Sequence, residues 1–155
     1  MTKTIYGDRI GKTAELKTGC SATVFDASRG KILLTRRTDN NRWCLPGGGA
    51  DPGESVTETC VREVWEETGL RVQVRKLTGV YSSPNEILEY PDGNRFQTIA
   101  LNFDVEVLSG ELTTSAETSE IAYFSIEELD KVDLMKRHRV RIADALENKA
   151  APFIR

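Results

Sequence analysis

A chain of 155 residues has room for one domain with a sizeable core, and a composition of 39% hydrophobic and 29% charged residues excludes a disordered or fibrous polymer. The formal net charge of −3 argues against a protein that wraps a long nucleic acid, because such binding depends on many Lys and Arg contacts to phosphate. No apolar run approaches the length of a membrane span and the start from Met1 to Asp8 carries no signal-peptide core, so a soluble, cytoplasmic protein is expected.

Cys20, Cys44 and Cys60 make an odd count without paired spacing, which suits reduced thiols. His138 is the single histidine, so a structural zinc site is not expected. Residues Met1 to Lys17 are polar apart from Ile5 and Tyr6 and read as an edge strand or a loose arm ahead of a single domain spanning 1–155. Cys20 to Phe25 reads as a strand and Lys31 to Thr35 as its hairpin partner, joined by a Gly-containing turn at Asp26 to Gly30. Arg36 and Arg37 close the second strand, Asp39 to Asn41 is a loop, and Trp43 to Leu45 is a short strand running into Pro46-Gly47-Gly48-Gly49.

Ser55 and Glu58 form a capping-box pattern, and Gly69 suits the left-handed position beyond a helix end, so Val56 to Thr68 is predicted to be one helix. Its Glu63, Glu66 and Glu67 fall at i, i+3 and i+4, with neighbouring Cβ atoms about 5–6 Å apart. Cys60, Val61, Val64 and Trp65 occupy most of the opposite arc and are expected to meet a core. Three like charges at that spacing repel. Either the face is simply solvated or a hard divalent cation sits on it, since Mg²⁺ favours carboxylates, waters and phosphates.

Arg71 to Tyr81 follows as a strand, bent at Gly79. Ser82 to Asn94 reads as loop, with a turn at Tyr90 to Gly93. Gln97 to Val107 is the clearest strand, with Ile99, Leu101, Phe103, Val105 and Val107 on one face. Thr113 to Ser119 is polar loop and Ile121 to Phe124 a short strand. Ser125 and Glu128 repeat the capping signal ahead of a helix of one or two turns. Leu134 to Glu147 is the last helix, with Ile142, Ala145 and Leu146 as its buried side. The basic run Lys136 to Arg141 reads as a solvated face of that helix rather than a nucleic-acid patch.

The spacing Gly48-x5-Glu54-x7-Arg62-Glu63-Val64-x-Glu66-Glu67-x-Gly69-Leu70 resembles the Nudix box, with nine defined positions over 23 residues. That resemblance implies the Nudix hydrolase family and an α/β fold, a mixed sheet sandwiched between helices. It implies an enzyme that cleaves the diphosphate linkage of a nucleoside diphosphate derivative by water attack on phosphorus. Candidate substrates are ADP-ribose-like compounds, dinucleoside polyphosphates or nucleoside triphosphates, with Mg²⁺ as cofactor and Mn²⁺ as a substitute. The rival reading is a non-catalytic Nudix-fold module that senses a nucleotide ligand. Such a module is expected to lose box glutamates, and all are kept here.

By the same resemblance, Glu63, Glu66, Glu67 and the backbone carbonyl of Gly47 hold the metal, and Glu54 and Arg62 orient that cluster. A further carboxylate from a loop, Glu117 or else Glu120, serves as metal ligand or general base. Arg37, and less directly Arg36, stands where related enzymes bind substrate, unless it is only an edge-strand charge. Trp43, Tyr81, Tyr90 and Phe96 are available to stack a base or to anchor the core. Monomer or homodimer is left open.

Overall fold

Runs of β-branched and aromatic residues between Gly-, Asn- and Asp-rich turns make strand the commonest regular structure of this chain. The computed structural model describes residues 1–155. The order is β1 (Lys3–Tyr6), β2 (Glu15–Val24), β3 (Lys31–Arg37), β4 (Trp43–Cys44), β5 (Gly47–Gly49), α1 (Val56–Thr68), β6 (Leu70–Tyr81), β7 (Glu86–Glu89), β8 (Arg95–Gly110), β9 (Thr118–Ser125), α2 (Lys136–Glu147) and β10 (Phe153–Ile154). The main sheet is mixed, in the order β1-β7-β8-β2-β5, with β6 also paired to β8 and β10 to β6. A smaller antiparallel sheet runs β4-β3-β9.

The centre of the main sheet is the parallel pair β2 and β8, in register from Glu15 opposite Phe96 to Val24 opposite Val105. Successive side chains on a strand point to opposite faces, so β3 feeds two cores at once. Leu33 joins a core with Cys20, Val24, Cys60, Val64, Val72 and Phe103 on the α1 side. Ile32 and Leu34 join a second core with Phe25, Leu45, Leu134 and Ile142 on the α2 side. The strands therefore lie between two helices, and the α/β sandwich is as expected.

Where β2 and β8 face α2, the buried layer is polar: Ser21 Oγ donates to Asn102 Oδ1 at 2.8 Å, and Asn102 Nδ2 to Thr23 Oγ1 at 3.0 Å. All three cysteines are free and buried. No helix is long and apolar enough to cross a membrane.

Several expectations need correction. The predicted hairpin of residues 20–25 and 31–35 holds only at its turn, where Phe25 bridges Ile32; beyond it β2 and β3 part into different sheets. Of the two readings of the first 17 residues the edge strand holds, since β1 lies at the sheet edge paired with β7, and β2 already begins at Glu15. The stretch read as loop from Ser82 to Asn94 contains β7, which polar Glu86 and Glu89 at its ends disguise. Ser125 and Glu128 form half of the expected box, Ser125 N–H donating to Glu128 Oε2 at 2.8 Å, but only a 3₁₀ turn at Leu129–Lys131 comes after it.

The last helix starts at Lys136 rather than Leu134. On it Ile142 and Ala145 are buried, but Leu146 is exposed. On α1, Cys60 and Val64 are buried, whereas Trp65 is 47% exposed and lies under the Arg71 guanidinium instead of in a core. Phe103 and Val105 of β8 reach the core; Val107 does not. Gly79 does sit at an irregularity, a register shift between Leu77 and Gly79.

Candidate active site

The site starts from a glycine strand pressed between two neighbours. Gly47 and Gly48 of β5 pair with Ser21 and Cys20 of β2. A Cβ on Gly47 would run into the Cys20 carbonyl and the Ser21 Cα, and one on Gly48 would overlap the Glu63 carboxylate. Only glycine lets α1 lay acidic side chains directly on this backbone.

Helix α1 is fixed at both ends. Ser55 Oγ accepts from Glu58 N–H, Glu58 Oε2 accepts from Ser55 N–H at 2.7 Å, and Gly69 caps the C-terminus at φ +76°. From this helix Glu67 turns inward: it is buried, and Gly47 N–H donates to its Oε2 at 3.0 Å. Burial pushes the Glu67 carboxyl up to about 7. The Gly47 N–H opposes that shift, and the charges of Glu63 and Glu117 reinforce it. Glu63 is raised too, by burial first, against the pull of Arg62.

Arg62 binds the face together. Its Nε and Nη2 fork onto Glu54, its Nη2 reaches the Gly49 carbonyl at 3.0 Å, and its Nη1 lies 3.0 Å from Glu63 Oε1 and 3.2 Å from Glu66 Oε2. Those bonds hold the Glu54 carboxyl down at about 2, and Glu54 also accepts from Asp51 N–H and the Thr59 hydroxyl. Glu54 and Arg62 thus tie the loop after β5 to the acidic face.

The two loop carboxylates part company. Glu117 stands just before β9, close enough for its charge to be felt at both Glu63 and Glu67. Glu120, within β9, is ion-paired with Arg36 across the small sheet. Arg37, pointing the other way, bonds Asp39 at 2.8 Å and lines a cavity beside β5. Tyr81 donates its hydroxyl to Asp144 Oδ2 at 2.9 Å and lines a neighbouring hollow rather than that cavity. Trp43 packs edge-on against Phe124, and Tyr90 against Phe96.

The cavity encloses about 680 Å³ counting its open mouth. One wall is β5; the facing wall is Arg137, His138 and Arg141 of α2. The basic run is therefore not simply a solvated face, for His138 and Arg141 are buried. A signal for this exists in the sequence: His138, Arg141, Ile142 and Ala145 fall at i, i+3, i+4 and i+7, one helical stripe shared with the apolar side. His138 Nδ1 accepts from Leu45 N–H at 3.2 Å. Burial first, then the Arg141 and Arg137 charges, keep its pKa well below the ordinary histidine value, so the ring is neutral with its proton on Nε2. Arg137 Nε approaches that Nε2 at 3.4 Å, but two N–H groups face each other there and no hydrogen bond results.

As donors for a metal, the acidic set is all oxygen, which suits a hard divalent cation. No three acidic, His or Cys side chains already converge on one point, since Arg62 sets the orientation of Glu63 and Glu66. Even so, the buried Glu67 and the partly buried Glu63, both raised and both feeling the Glu117 charge, form a concentration of negative charge that a cation offsets. The donor chemistry fits.

The family model described as "NUDIX domain" matches residues 16–146. The chain is 34% identical over 126 residues to a "MutT-like protein" of Streptomyces ambofaciens, covering 81% of this chain and 74% of that one. It is 39% identical over 105 residues to an "ADP-ribose pyrophosphatase" of Methanocaldococcus jannaschii, covering 66% of this chain and 59% of the relative, less than two thirds of its length. Among solved structures, an ADP-ribose pyrophosphatase from Streptococcus suis superposes with a TM-score of 0.68 at 25% identity, over 90% of this chain and 98% of that one.

Proposed function

The chain belongs to the NUDIX family of hydrolases, and on that premise we propose that it cleaves the diphosphate linkage of a nucleoside diphosphate derivative, with Mg²⁺, or Mn²⁺ in its place, as cofactor. ADP-ribose-like compounds and dinucleoside polyphosphates stand ahead of nucleoside triphosphates as substrates. The name of the Methanocaldococcus relative, an ADP-ribose pyrophosphatase, supports placing the first of these ahead. In this reading residues 1–155 act as one domain, since β1 and β10 are both hydrogen-bonded into the main sheet.

The observation that carries the reading is the buried Glu67 carboxylate on the Gly47 amide, with Glu63 against Gly48 and the Glu117 charge facing both. Glu63, Glu66, Glu67 and the Gly47 carbonyl hold the cation. A divalent ion bound there neutralises phosphoryl oxygens and makes water at the site more acidic. Glu54 and Arg62 keep the helix carboxylates aimed at β5. Arg37 meets phosphate with the guanidinium edge that Asp39 leaves free. Glu117 takes the proton from the attacking water; the water oxygen bonds to phosphorus, the bridging P–O bond opens, and the departing phosphate keeps the electron pair.

The test is a panel of ADP-ribose, diadenosine polyphosphates and nucleoside triphosphates with Mg²⁺ or Mn²⁺ in ¹⁸O-labelled water. Cleavage of a diphosphate-linked compound, stopped by EDTA, with label in one product only, is the expected result. No uptake of either metal by calorimetry, together with every compound left uncut, would overturn the proposal.

A further inference from the structure

The cavity beside Gly47–Gly49 is lined by four cations, Lys17, Arg37, Arg137 and Arg141, and by no Asp or Glu; the α1 carboxylates are not part of its wall. Of the four, only Arg37 has a carboxylate partner. Lys17 lies over the Tyr90 and Phe96 rings. Arg141 is only 6% exposed, yet its sole hydrogen bond is from Nη1 to Ser21 Oγ at 3.2 Å, and its Nε has no partner.

The acid nearest in sequence, Asp144, is taken up by the Tyr81 hydroxyl and by Nε and Nη2 of Arg155, each at 2.9 Å. Glu86, on the adjoining hollow that Arg137 and Arg141 also line, is felt as a charge by both but makes no hydrogen-bonded ion pair with either. A guanidinium withdrawn from water without an anion bonded to it is costly, and two side by side beside a single more distant carboxylate are costlier. A neutral base or sugar would leave that cost in place. A dianion would remove it, and the His138 Nε2–H adds a neutral donor on the same wall.

We propose that this cavity takes a phosphate monoester on the substrate, separate from the diphosphate that is cut, and that Arg137 and Arg141 select for it. Resting on the hydrolase reading above, this narrows the substrate class to nucleoside diphosphate derivatives that carry an additional phosphate on the ribose. Arg37 lies between the two centres, in the cavity wall and within Coulombic reach of Glu67. A single ligand then places its linkage on the α1 side and its extra phosphate on the α2 side.

Calorimetry in EDTA with AMP, adenosine 2′,5′-bisphosphate and adenosine 3′,5′-bisphosphate reads the cavity without any catalysis. At least one bisphosphate is expected to bind about tenfold or more tighter than AMP. In Arg141→Gln and Arg137→Gln that ratio is expected to collapse towards one. Near-UV circular dichroism checks each variant's fold, and the half-buried Arg137 carries the test if the Arg141 variant does not fold. Equal binding of all three ligands by the unaltered protein would overturn the proposal. So would variants that weaken AMP and bisphosphate by the same factor, since the arginines would then hold the common 5′-phosphate.

Hydrolysis of ADP-ribose and its 2′-phosphate separates the two readings. A bisphosphate preference with neither compound cut leaves the cavity standing and counts against the hydrolase reading. Both compounds cut with equal kcat/KM, and no preference in binding, does the reverse.

Discussion

Helices α1 and α2 flank the same strands and both bring charge to the glycine strand β5, yet they treat that charge in opposite ways. On α1 the acidic groups are gathered with a counter-ion built in: Arg62 reaches Glu54, Glu63 and Glu66 at once. On α2 Arg139 pairs with Asp130, but the two arginines that reach the cavity stand without such a partner, for neither Arg137 nor Arg141 forms an ion pair with any carboxylate. One end carries one arginine among four glutamates and keeps an excess of negative charge, while the other keeps an excess of positive charge. On the proposed function, a ligand with phosphate at two places suits both ends, because the acidic end would meet phosphate through a cation and the basic end would meet it directly.

The largest effect should come from the acidic end. Glu67→Gln keeps the size of the side chain and an acceptor for Gly47 N–H, but removes a charge from the centre of the set. Turnover is expected to fall by about a thousandfold, the loss of several kcal/mol of transition-state charge stabilisation. Glu66→Gln should come close behind it. Since like charges are being removed, the thermal midpoint should hold or rise. Near-normal turnover in both variants would erase the distinction between the helices, for α1 would then be only an acidic surface.

A smaller effect divides the two loop carboxylates. Glu117→Gln is expected to cost about a hundredfold in kcat, the range of a positioned general base. Glu120→Gln should change kcat by less than about threefold, since its carboxylate is engaged by the exposed side of Arg36. The pH–rate profile of each variant is the check. If Glu120 proves the sensitive one, the small sheet must rearrange when substrate binds.

The same contrast governs how legible each helix was. Most of the acidic site lies within 23 consecutive residues, so local spacing on a capped helix was enough to put Glu63, Glu66 and Glu67 on one helix face. The basic site is assembled from Lys17, Arg37, Arg137 and Arg141, which meet only once β2 and β8 pair in parallel and α2 packs over them. Local pattern cannot show which side of a basic helix will be covered; Arg141 is buried because Ser21 and Tyr81 lie beneath it. The same reason hid β5 and β10. Three glycines have no strand signature of their own, and a two-residue strand exists only because β6 offers it an edge. The family pattern gave the sandwich, but the parting of β2 from β3 is set by β8, which comes some 70 residues later in the chain and displaces β3 as the neighbour of β2.

The finest test compares the two ends in the protein without added metal, through the pH dependence of its stability. Glu67 has its pKa raised to about 7 in the folded chain from an ordinary 4.5, so the native state holds a proton that the unfolded chain releases. That contribution is full below pH 4.5 and is lost as pH rises through 7, by at most about 3 kcal/mol. His138 works in the opposite sense. Held neutral by burial and by Arg141, Arg137, Arg37 and Arg42, it denies the native state a proton that the unfolded chain takes up below 6.5. Its share of the stability is present above pH 6.5 and is lost as pH falls. Between about pH 5 and 6.5 the two slopes oppose each other, and urea unfolding in EDTA should find stability nearly level. Glu67→Gln should tilt that line so that stability drops towards acid, and His138→Gln should tilt it so that stability drops towards neutral pH. Other carboxylates are common to every variant and cancel in the difference. Two variants tilting the same way would mean that the ends do not carry the opposite electrostatic loads assigned to them.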